Sequence, residues 1–584
     1  MTRDELAAAL EEIGTLLEVK GENPFRANAY HNAARAVQQL EGNLDELVAS
    51  GAIRDIPGIG ATLFDKIHTL VTTGGLPFLD ELRASIPEVV LQMLRIPGLG
   101  PKKVKALQES LNLQSLDDLK AACRAGRVAE LKGFGAKSQQ KILDGLEFLG
   151  QVGNRIRIDQ AEPLASAIIE RIRALPGVIR AEVCGSLRRR RETVKDIDIL
   201  ASSDDPAPIM DAFVHMPEVI QVTGHGDTKS SVVVATFVDG QKVILNADLR
   251  VVTDQQFPFA LHHFTGSKEH NIRMRGRAQD RGMKINEYEL LGPEGPIPCK
   301  DEKSFFHALG LEYIPPEMRE DTGEVALAER DTGKRPKSHV PHLIEVRDIR
   351  GVFHNHTTAS DGRHTLEEMA LAAKQLGLEY LGIADHSQSL TIANGLNPAR
   401  VRKQWKEIDA LNNRLDGIRL LKGIECDILE DGSLDYDDDF LAQFEYVVAS
   451  VHTHFGQPID VMTQRIVTAV RHPMVTMLGH STGRLLLRRE GYKVDLDTVL
   501  EAAAESGTMI EINAQPMRLD LDWIHAKKAK ALGIKLVINP DAHSTGELAF
   551  FRYGVDVARR AWLTKADVLN TLTLDAVLRE LDIA

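Results

Sequence analysis

Apolar positions change their spacing along the chain and divide it into stretches of different structure. Residues 3–50 carry them at helical intervals, with Gly42-Asn43 as a break. Ile56-Pro57-Gly58-Ile59-Gly60 opens a further helical run to about Thr72. Ile96-Pro97-Gly98-Leu99-Gly100 opens another, from Pro101 to Leu111, and Leu131-Lys132-Gly133-Phe134-Gly135-Ala136-Lys137 is a weaker copy. Beyond residue 155 strands enter. The pattern predicts a helix over 163–174, a strand over 181–184 and an alternating strand, Asp196-Ile197-Asp198-Ile199-Leu200. A helix over 209–215 follows, then β-branched strands over 231–238 and 242–252 joined by Asp239-Gly240, a hairpin signal. Residues 317–341 are polar and aperiodic and read as a linker. After it, strand-like and helical runs alternate, as in a barrel or layered α/β domain.

A chain of 584 residues is too long for one core, and roughly three to five domains are expected. No run approaches the roughly eighteen apolar residues of a membrane span, and residues 1–14 read as an amphipathic helix rather than a signal peptide. Four scattered cysteines without a C-x-x-C pattern argue for a reducing cytoplasm. The net charge of −14 is carried mostly by residues 341–584, with 27 basic and 35 acidic residues; residues 1–150 and 151–340 are each at −3. Any contact with nucleic acid must therefore come from local patches and backbone amides.

Candidate chemistry begins at Cys184–Leu200. A Gly185-Ser186 turn and the cluster Arg188, Arg189, Arg190 and Arg191 suit phosphates. Asp196 and Asp198, at i and i+2 of a strand, project together and suit Mg²⁺ or Mn²⁺. Asn246, Asp248 and Arg250 share a face of a later strand, which makes Asp248 the natural third carboxylate. Such a triad holds two ions about 4 Å apart. The bland alternative is a solvated D-x-D edge beside a basic loop. The three glycine hairpins place Gly58, Gly60, Gly98, Gly100, Gly133 and Gly135 before helix N-termini, where backbone N–H groups meet phosphates. A helical array with plain glycine turns is the other reading.

The string from Gly185 to Asp198 resembles the active-site strand of the nucleotidyltransferase superfamily and, within it, the family X DNA polymerases. Phe264-Thr265-Gly266-Ser267, then Asn271, Arg275 and Asn286-Glu287-Tyr288, resemble the thumb of that family. The hairpins resemble helix-hairpin-helix motifs. By this resemblance Asp196, Asp198 and Asp248 are the catalytic metal ligands, and Gly185, Ser186, Arg189, His263, Phe264, Gly266 and Asn271 bind the nucleotide. Arg275 and Tyr288, with the hairpin glycines, contact DNA. Residues 1–80 correspond to a lyase-type domain in which Lys66 falls at the Schiff-base position. A lysine serves as such a nucleophile only with a lowered pKa, and a phosphate-contacting lysine is the alternative. Arg190 and Lys195 stand where family members usually have glycines, and Lys268 where polymerase beta has an acidic residue. These departures bear on nucleotide affinity.

In the C-terminal stretch His354-x-His356, Asp361, Asp385-His386, Glu425, His452-x-His454, His480, Glu511 and Asp541-x-His543 mostly follow apolar runs. Residues at the ends of successive barrel strands converge on one mouth. Nitrogen and carboxylate donors without cysteine suggest Mn²⁺, Zn²⁺ or Fe²⁺. This pattern resembles the PHP (polymerase and histidinol phosphatase) domain, a distorted seven-stranded barrel with three ions. The resemblance implies that His354, His356, Glu425 and Asp541 hold one ion, Glu425, His452 and His480 a second, and Asp361, His386 and His543 a third. His454, Asp385 and Glu511 would stand behind them. Arg484, Arg488 and Arg489 suit DNA phosphates or a solvated helix face.

The expected fold is multidomain α+β and α/β. Helical helix-hairpin-helix domains span 1–80 and 81–150. A nucleotidyltransferase palm of mixed sheet and helices covers 151–254, a thumb 255–316, a linker 317–341 and a (β/α)7 PHP barrel 342–584. The resemblance implies a monomeric, cytoplasmic, nucleoid-associated repair polymerase acting on gapped or nicked DNA and dNTPs, with a 3′-5′ exonuclease, no membrane role, and repair proteins as possible partners. Rival readings are a 3′-end-processing nuclease with a weak polymerase, and a gap-binding scaffold.

Overall fold

The computed structural model describes residues 3–38, 44–55, 59–73, 75–94, 96, 99–152, 155–238, 241–330 and 340–583. Gly42-Asn43, Gly58, Gly98 and the turn Asp239-Gly240 lie outside them. The chain forms two compact units, Met1–Arg155 with Val234–Leu245, and Ile156–Val233 with Asn246–Ala584.

The first unit's N-terminal part is helical throughout. Helices Ala61–Thr73, Pro101–Leu111 and Ala136–Val152 start directly after Gly60, Gly100 and Gly135. Pro101 takes the first helical position, where its missing N–H costs nothing. Leu63, Phe64, Ile67 and Leu70 recur at helical spacing and are buried. They join Leu10, Ile13, Leu107 and Leu119 in one core.

The palm sheet, of which all but Val234–Leu245 falls in the second unit, comprises β1 (Arg180–Val183), β2 (Asp196–Ser202), β3 (Val219–His225), β4 (Lys229–Val238) and β5 (Gln241–Val252), in the order β1-β2-β5-β4-β3. β2 runs parallel to β5 with Asp198 opposite Asp248 and Asp196 opposite Asn246. Ile197 and Ile199 are buried on the other face, as the alternation requires. The helix expected from Pro163 begins earlier, at Ile158. Ile158 and Ala161 extend the buried stripe of Leu164, Ile168 and Ile172, and that packing outweighs the hydrogen bond Pro163 cannot make.

The linker reading of 317–341 is corrected for its first half. Residues 316–318 and 324–327 are helical, and Met318, Val325 and Ala328 join Phe259, Met274, Phe305 and Phe306 in the thumb core. Its charges misled because they are paired internally. Buried Arg319 meets Glu302 at 2.6 Å, and Glu324 meets His270 at 2.7 Å.

The C-terminal barrel has seven parallel strands in sequential order: β6 (Gly351–Val352), β7 (Tyr380–Ile383), β8 (Arg419–Asp427), β9 (Tyr446–Ser450), β10 (Met477–Leu478), β11 (Met509–Asn513) and β12 (Leu536–Asn539). A parallel bridge between Asn355 and Ala542 brings the first and last strands together. Phe353, Tyr380, Tyr446, Met477 and Val537 fill the interior. Among the described residues no helix is long and apolar enough to cross a membrane.

Candidate active sites in the palm and the barrel

Gly185 packs its backbone directly against the Asp198 carboxylate, at φ +62; a Cβ there would collide with Asp198 Oδ2. The turn thus needs glycine, and it delivers Ser186 and Arg189 beside the strand. Burial, and then the neighbouring charges of Asp196 and Asp248, push the Asp198 carboxyl up to about 6. Asp248 Oδ2 is met by Lys229 Nζ at 2.8 Å. A cavity of about 390 Å³ opens in front of this cluster. Gly185, Ser186, Arg189, Asp196 and Asp198 line one side, and His263, Phe264, Gly266, Lys268, Asn271 and Arg275 the other. Lys268 adds a cation to the cavity. Asn271 donates to the His263 carbonyl at 2.8 Å, and Arg250 lies 4.7 Å from the Phe264 ring. Tyr288 and Phe264 both pack against the buried cluster of Cys184, Leu200, Phe257 and Leu261.

Arg190 does not line the cavity. Its φ of +56 explains why glycine suits this position. Its guanidinium turns to Glu162 and, at 3.6 Å, to Asp556 of the barrel domain. Lys195 is exposed.

At the barrel mouth the strand-end residues converge. Glu425 Oε2 lies 3.2 Å from His354 Nε2 and 2.8 Å from His386 Nδ1; Oε1 lies 3.0 Å from His480 Nε2 and 3.2 Å from His452 Nε2. His356 Nε2 meets Asp541 at 3.1 Å. Asp361 faces both His386 and His543 at 3.5 Å. Burial pushes Glu425 up, but His354, His452 and His386 outweigh it and hold the carboxyl well below its usual range. Burial and the charges of His543 and His386 push His356 down to about 4, leaving a neutral donor.

This donor set fits divalent cations. Three groups can each gather ligand atoms on one point: His356, Asp361, His386 and His543; His354, His356 and Asp541; and His386, Glu425 and His452. The sequence grouping differs in these respects: His356 also reaches the Asp361 group, Glu425 is not in the group of His354, His356 and Asp541, and His386 takes the place of His480 beside Glu425 and His452. One buried ring nitrogen of each of His354 (Nε2), His356 (Nδ1), His386 (Nδ1) and His480 (Nδ1) makes no well-aligned hydrogen bond, and metal coordination would satisfy such lone pairs.

Glu511 accepts from His354 Nδ1 at 2.7 Å and fixes that ring. Asp385 instead holds the turn before Asp361 by accepting from Thr357 at 2.8 Å. His454 is half exposed and faces Glu430 at 3.6 Å, away from the cluster. Sequence reasoning missed Asp427, which sets His452 Nδ1 at 2.6 Å; its i+2 spacing from Glu425 on β8 was the available signal. It also missed Asn513, which donates to both Glu511 and Asp541. Arg484 and Arg489 lie on a loop, not a helix. They are engaged by backbone carbonyls of Arg518, Leu519 and Gly483.

In the first unit Lys66 Nζ donates to the Tyr30 hydroxyl at 2.6 Å and stands 3.3 Å from the Phe78 ring centroid. Burial, then the charge of Arg26, push it down to about 8.

Carboxylates on adjacent palm strands, a thumb behind the cavity and a histidine-rich barrel define a metal-dependent nucleotidyltransferase joined to a phosphoesterase-type domain. Residues 260–320 match the DNA polymerase beta thumb, 1–76 a helix-hairpin-helix domain, 90–147 a SAM-like helix-hairpin-helix tandem and 353–515 the PHP domain. The chain is 40% identical over 579 residues to the DNA polymerase/3′-5′ exonuclease PolX of Bacillus subtilis (strain 168), covering 99% of both. It belongs to the family X DNA polymerases that carry a C-terminal PHP domain. A protein of Thermoanaerobacter sp. (strain X514) named a probable phosphatase is 30% identical over 229 residues, 37% of this chain and 89% of that protein. A probable phosphatase of Shewanella oneidensis is 28% identical over the same length, 85% of its own.

Proposed function

We propose that the chain is a DNA-directed DNA polymerase that fills short gaps during repair and trims 3′ ends with its PHP domain. The observation that carries this is the register of β2 on β5. It sets Asp198 opposite Asp248, with Asp196 beside them, at the mouth of a cavity lined by the thumb. Asp196, Asp198 and Asp248 hold Mg²⁺ or Mn²⁺, and the barrel ligands hold Mn²⁺, Zn²⁺ or Fe²⁺. The chemistry a divalent cation supplies at either cluster is acidification of a bound hydroxyl or water and screening of phosphate charge. Ser186, Arg189 and the backbone at Gly185 take the triphosphate, while His263 and Phe264 flank the sugar and Asn271 meets the base edge. Arg275 faces the template strand. Gapped or nicked DNA and dNTPs are the substrates, met by a monomer in the cytoplasm at the nucleoid.

A 5′-labelled primer on a short gap with a 5′-phosphate, incubated with Mn²⁺ and all four dNTPs, tests this reading. Both extension and shortening are expected. Shortening without extension would favour the end-processing nuclease instead. Arg190 gives that rival little support, because its side chain leaves the cavity clear.

The hairpins are read as phosphate binders on a physical ground. Gly100 has φ −78 and ψ 167, open to any residue, and an added Cβ would meet nothing. Neither backbone nor packing demands glycine there; close approach of a phosphate does. Gly100→Asp, a good N-cap, is expected to leave stability within about 0.5 kcal/mol. It should weaken binding to gapped duplex about tenfold, by like-charge repulsion. Thermal melts and fluorescence anisotropy check the two halves.

Lys66 carries a second activity in this reading, a Schiff-base lyase step on incised abasic DNA. At pH 7 about a tenth of a group titrating near 8 is neutral, and the neutral amine is the nucleophile. Borohydride trapping should rise with pH and level off above about 8, whereas an ordinary lysine keeps rising toward about 10.4. Lys66→Ala should abolish the adduct; its persistence would remove Lys66 from the role.

A further inference from the structure

Arg189 lines the nucleotide cavity, yet it is only 8% exposed and its guanidinium is engaged within the chain. Nη1 donates to the Thr265 carbonyl at 2.6 Å, and Nε pairs with Glu320 Oε1 at 3.1 Å. The same Glu320 oxygen faces Arg560 Nη2 at 3.4 Å. Arg560 ends helix Phe551–Arg560 of the barrel domain and is 1% exposed. Its Nη1 meets Glu192 Oε2 at 2.7 Å. Glu192 belongs to the segment between Arg189 and β2, directly after the helical turn Gly185–Arg188 and its cap Arg189, which present the triphosphate-binding groups. The other Glu192 oxygen is 4.0 Å from Arg484, on the loop after His480.

One carboxylate cannot neutralise two guanidinium groups. While Arg560 shares Glu320, Arg189 keeps positive potential toward the cavity. Without Arg560, the whole charge of Glu320 falls on Arg189, and in a poorly solvated site that attraction competes with a triphosphate. Glu192 would also lose its nearest cation, loosening the turn.

We infer that Arg560, a residue of the nuclease domain, is a positioning residue for the polymerase site: it shares Glu320 with Arg189 and anchors Glu192, and so sets how strongly the palm holds the incoming triphosphate. The inference rests on the polymerase reading.

Single-nucleotide gap filling, with KM for dNTP and kcat measured separately, tests it. Arg560→Met keeps the apolar stem and removes the charge. It is expected to raise KM about tenfold, the scale of one charge-assisted hydrogen bond, with kcat within about twofold and 3′-end shortening retained. Adding Glu320→Gln should bring KM back toward the unmutated value, because a neutral amide no longer claims Arg189. Arg559→Gln is the control: Arg559 also bridges the domains, to Glu317 at 2.8 Å, but lies off the path to Arg189. It should leave KM unchanged.

An unchanged KM in Arg560→Met, a double variant worse than the single, or an equal rise in Arg559→Gln would each overturn the inference in favour of plain domain docking. Should Arg560→Met fail to fold, as loss of shortening would reveal, Arg560→Gln, which also removes the charge but keeps hydrogen-bonding capacity, decides by the same KM criterion. Absence of extension by the unmutated chain defeats the polymerase reading itself, a distinguishable result.

Discussion

Asp198→Asn is expected to abolish primer extension while raising the melting temperature of the chain in chelator. The loss should reach about 10³-fold in kcat, equivalent to ~4 kcal/mol, since a metal-bound carboxylate contributes several kcal/mol to the transition state. The gain in stability follows from the site's own electrostatics. The folded pKa of Asp198 is raised to about 6, above that of an unfolded aspartate. The charged form is therefore penalised by folding. That penalty is present above about pH 6, is relieved as pH falls toward the ordinary carboxyl range, and is absent below it. An uncharged amide removes it at neutral pH. Calorimetry in chelator, run beside the extension assay, separates this outcome from misfolding: an inactive variant that melts lower would contradict the account. Shortening by the barrel should persist.

Glu425→Gln is the converse experiment. Its two oxygens lie between histidines that follow different strands, so among the described residues no other single side chain touches as many members of the cluster. Replacement should remove 3′-end shortening by about 10³-fold or more and leave gap filling within about twofold. Metal analysis should show fewer bound ions per chain. Retained shortening with a full metal complement would place the nuclease chemistry elsewhere.

Local order was legible wherever a side chain's role depends on its neighbours in sequence. The i, i+2 spacing of Asp196 and Asp198 follows from strand geometry, and the pairing with Asp248 followed from a shared face on the next β-branched run. Histidines after apolar runs located the barrel mouth because parallel strands end on one side. Partners distant in sequence were not legible. Nothing near Arg190 indicates Asp556, and nothing near Glu192 indicates Arg560. Such pairs leave no periodic trace. Each charge reads alone as solvated surface, and for that reason residues 317–330 resembled a tether. Asp427 and Asn513 close β8 and β11, but each follows an acidic candidate two residues earlier, Glu425 and Glu511, and acts by hydrogen bonding to other ligands, which spacing alone does not show.

The packing of Met318, Arg319, Val325 and Ala328 has a consequence for dissecting the protein into working halves. A break at residue 317, where composition turns polar, would strip these side chains from the thumb, leave buried His270 without Glu324 and leave Glu302 with Arg188 alone. A polymerase fragment ending there should aggregate or melt early. One ending after Arg330 keeps them, together with the Arg277–Glu329 pair at 3.0 Å. The useful scissors therefore belong some fourteen residues beyond the point that composition suggests, roughly four turns of helix in chain length.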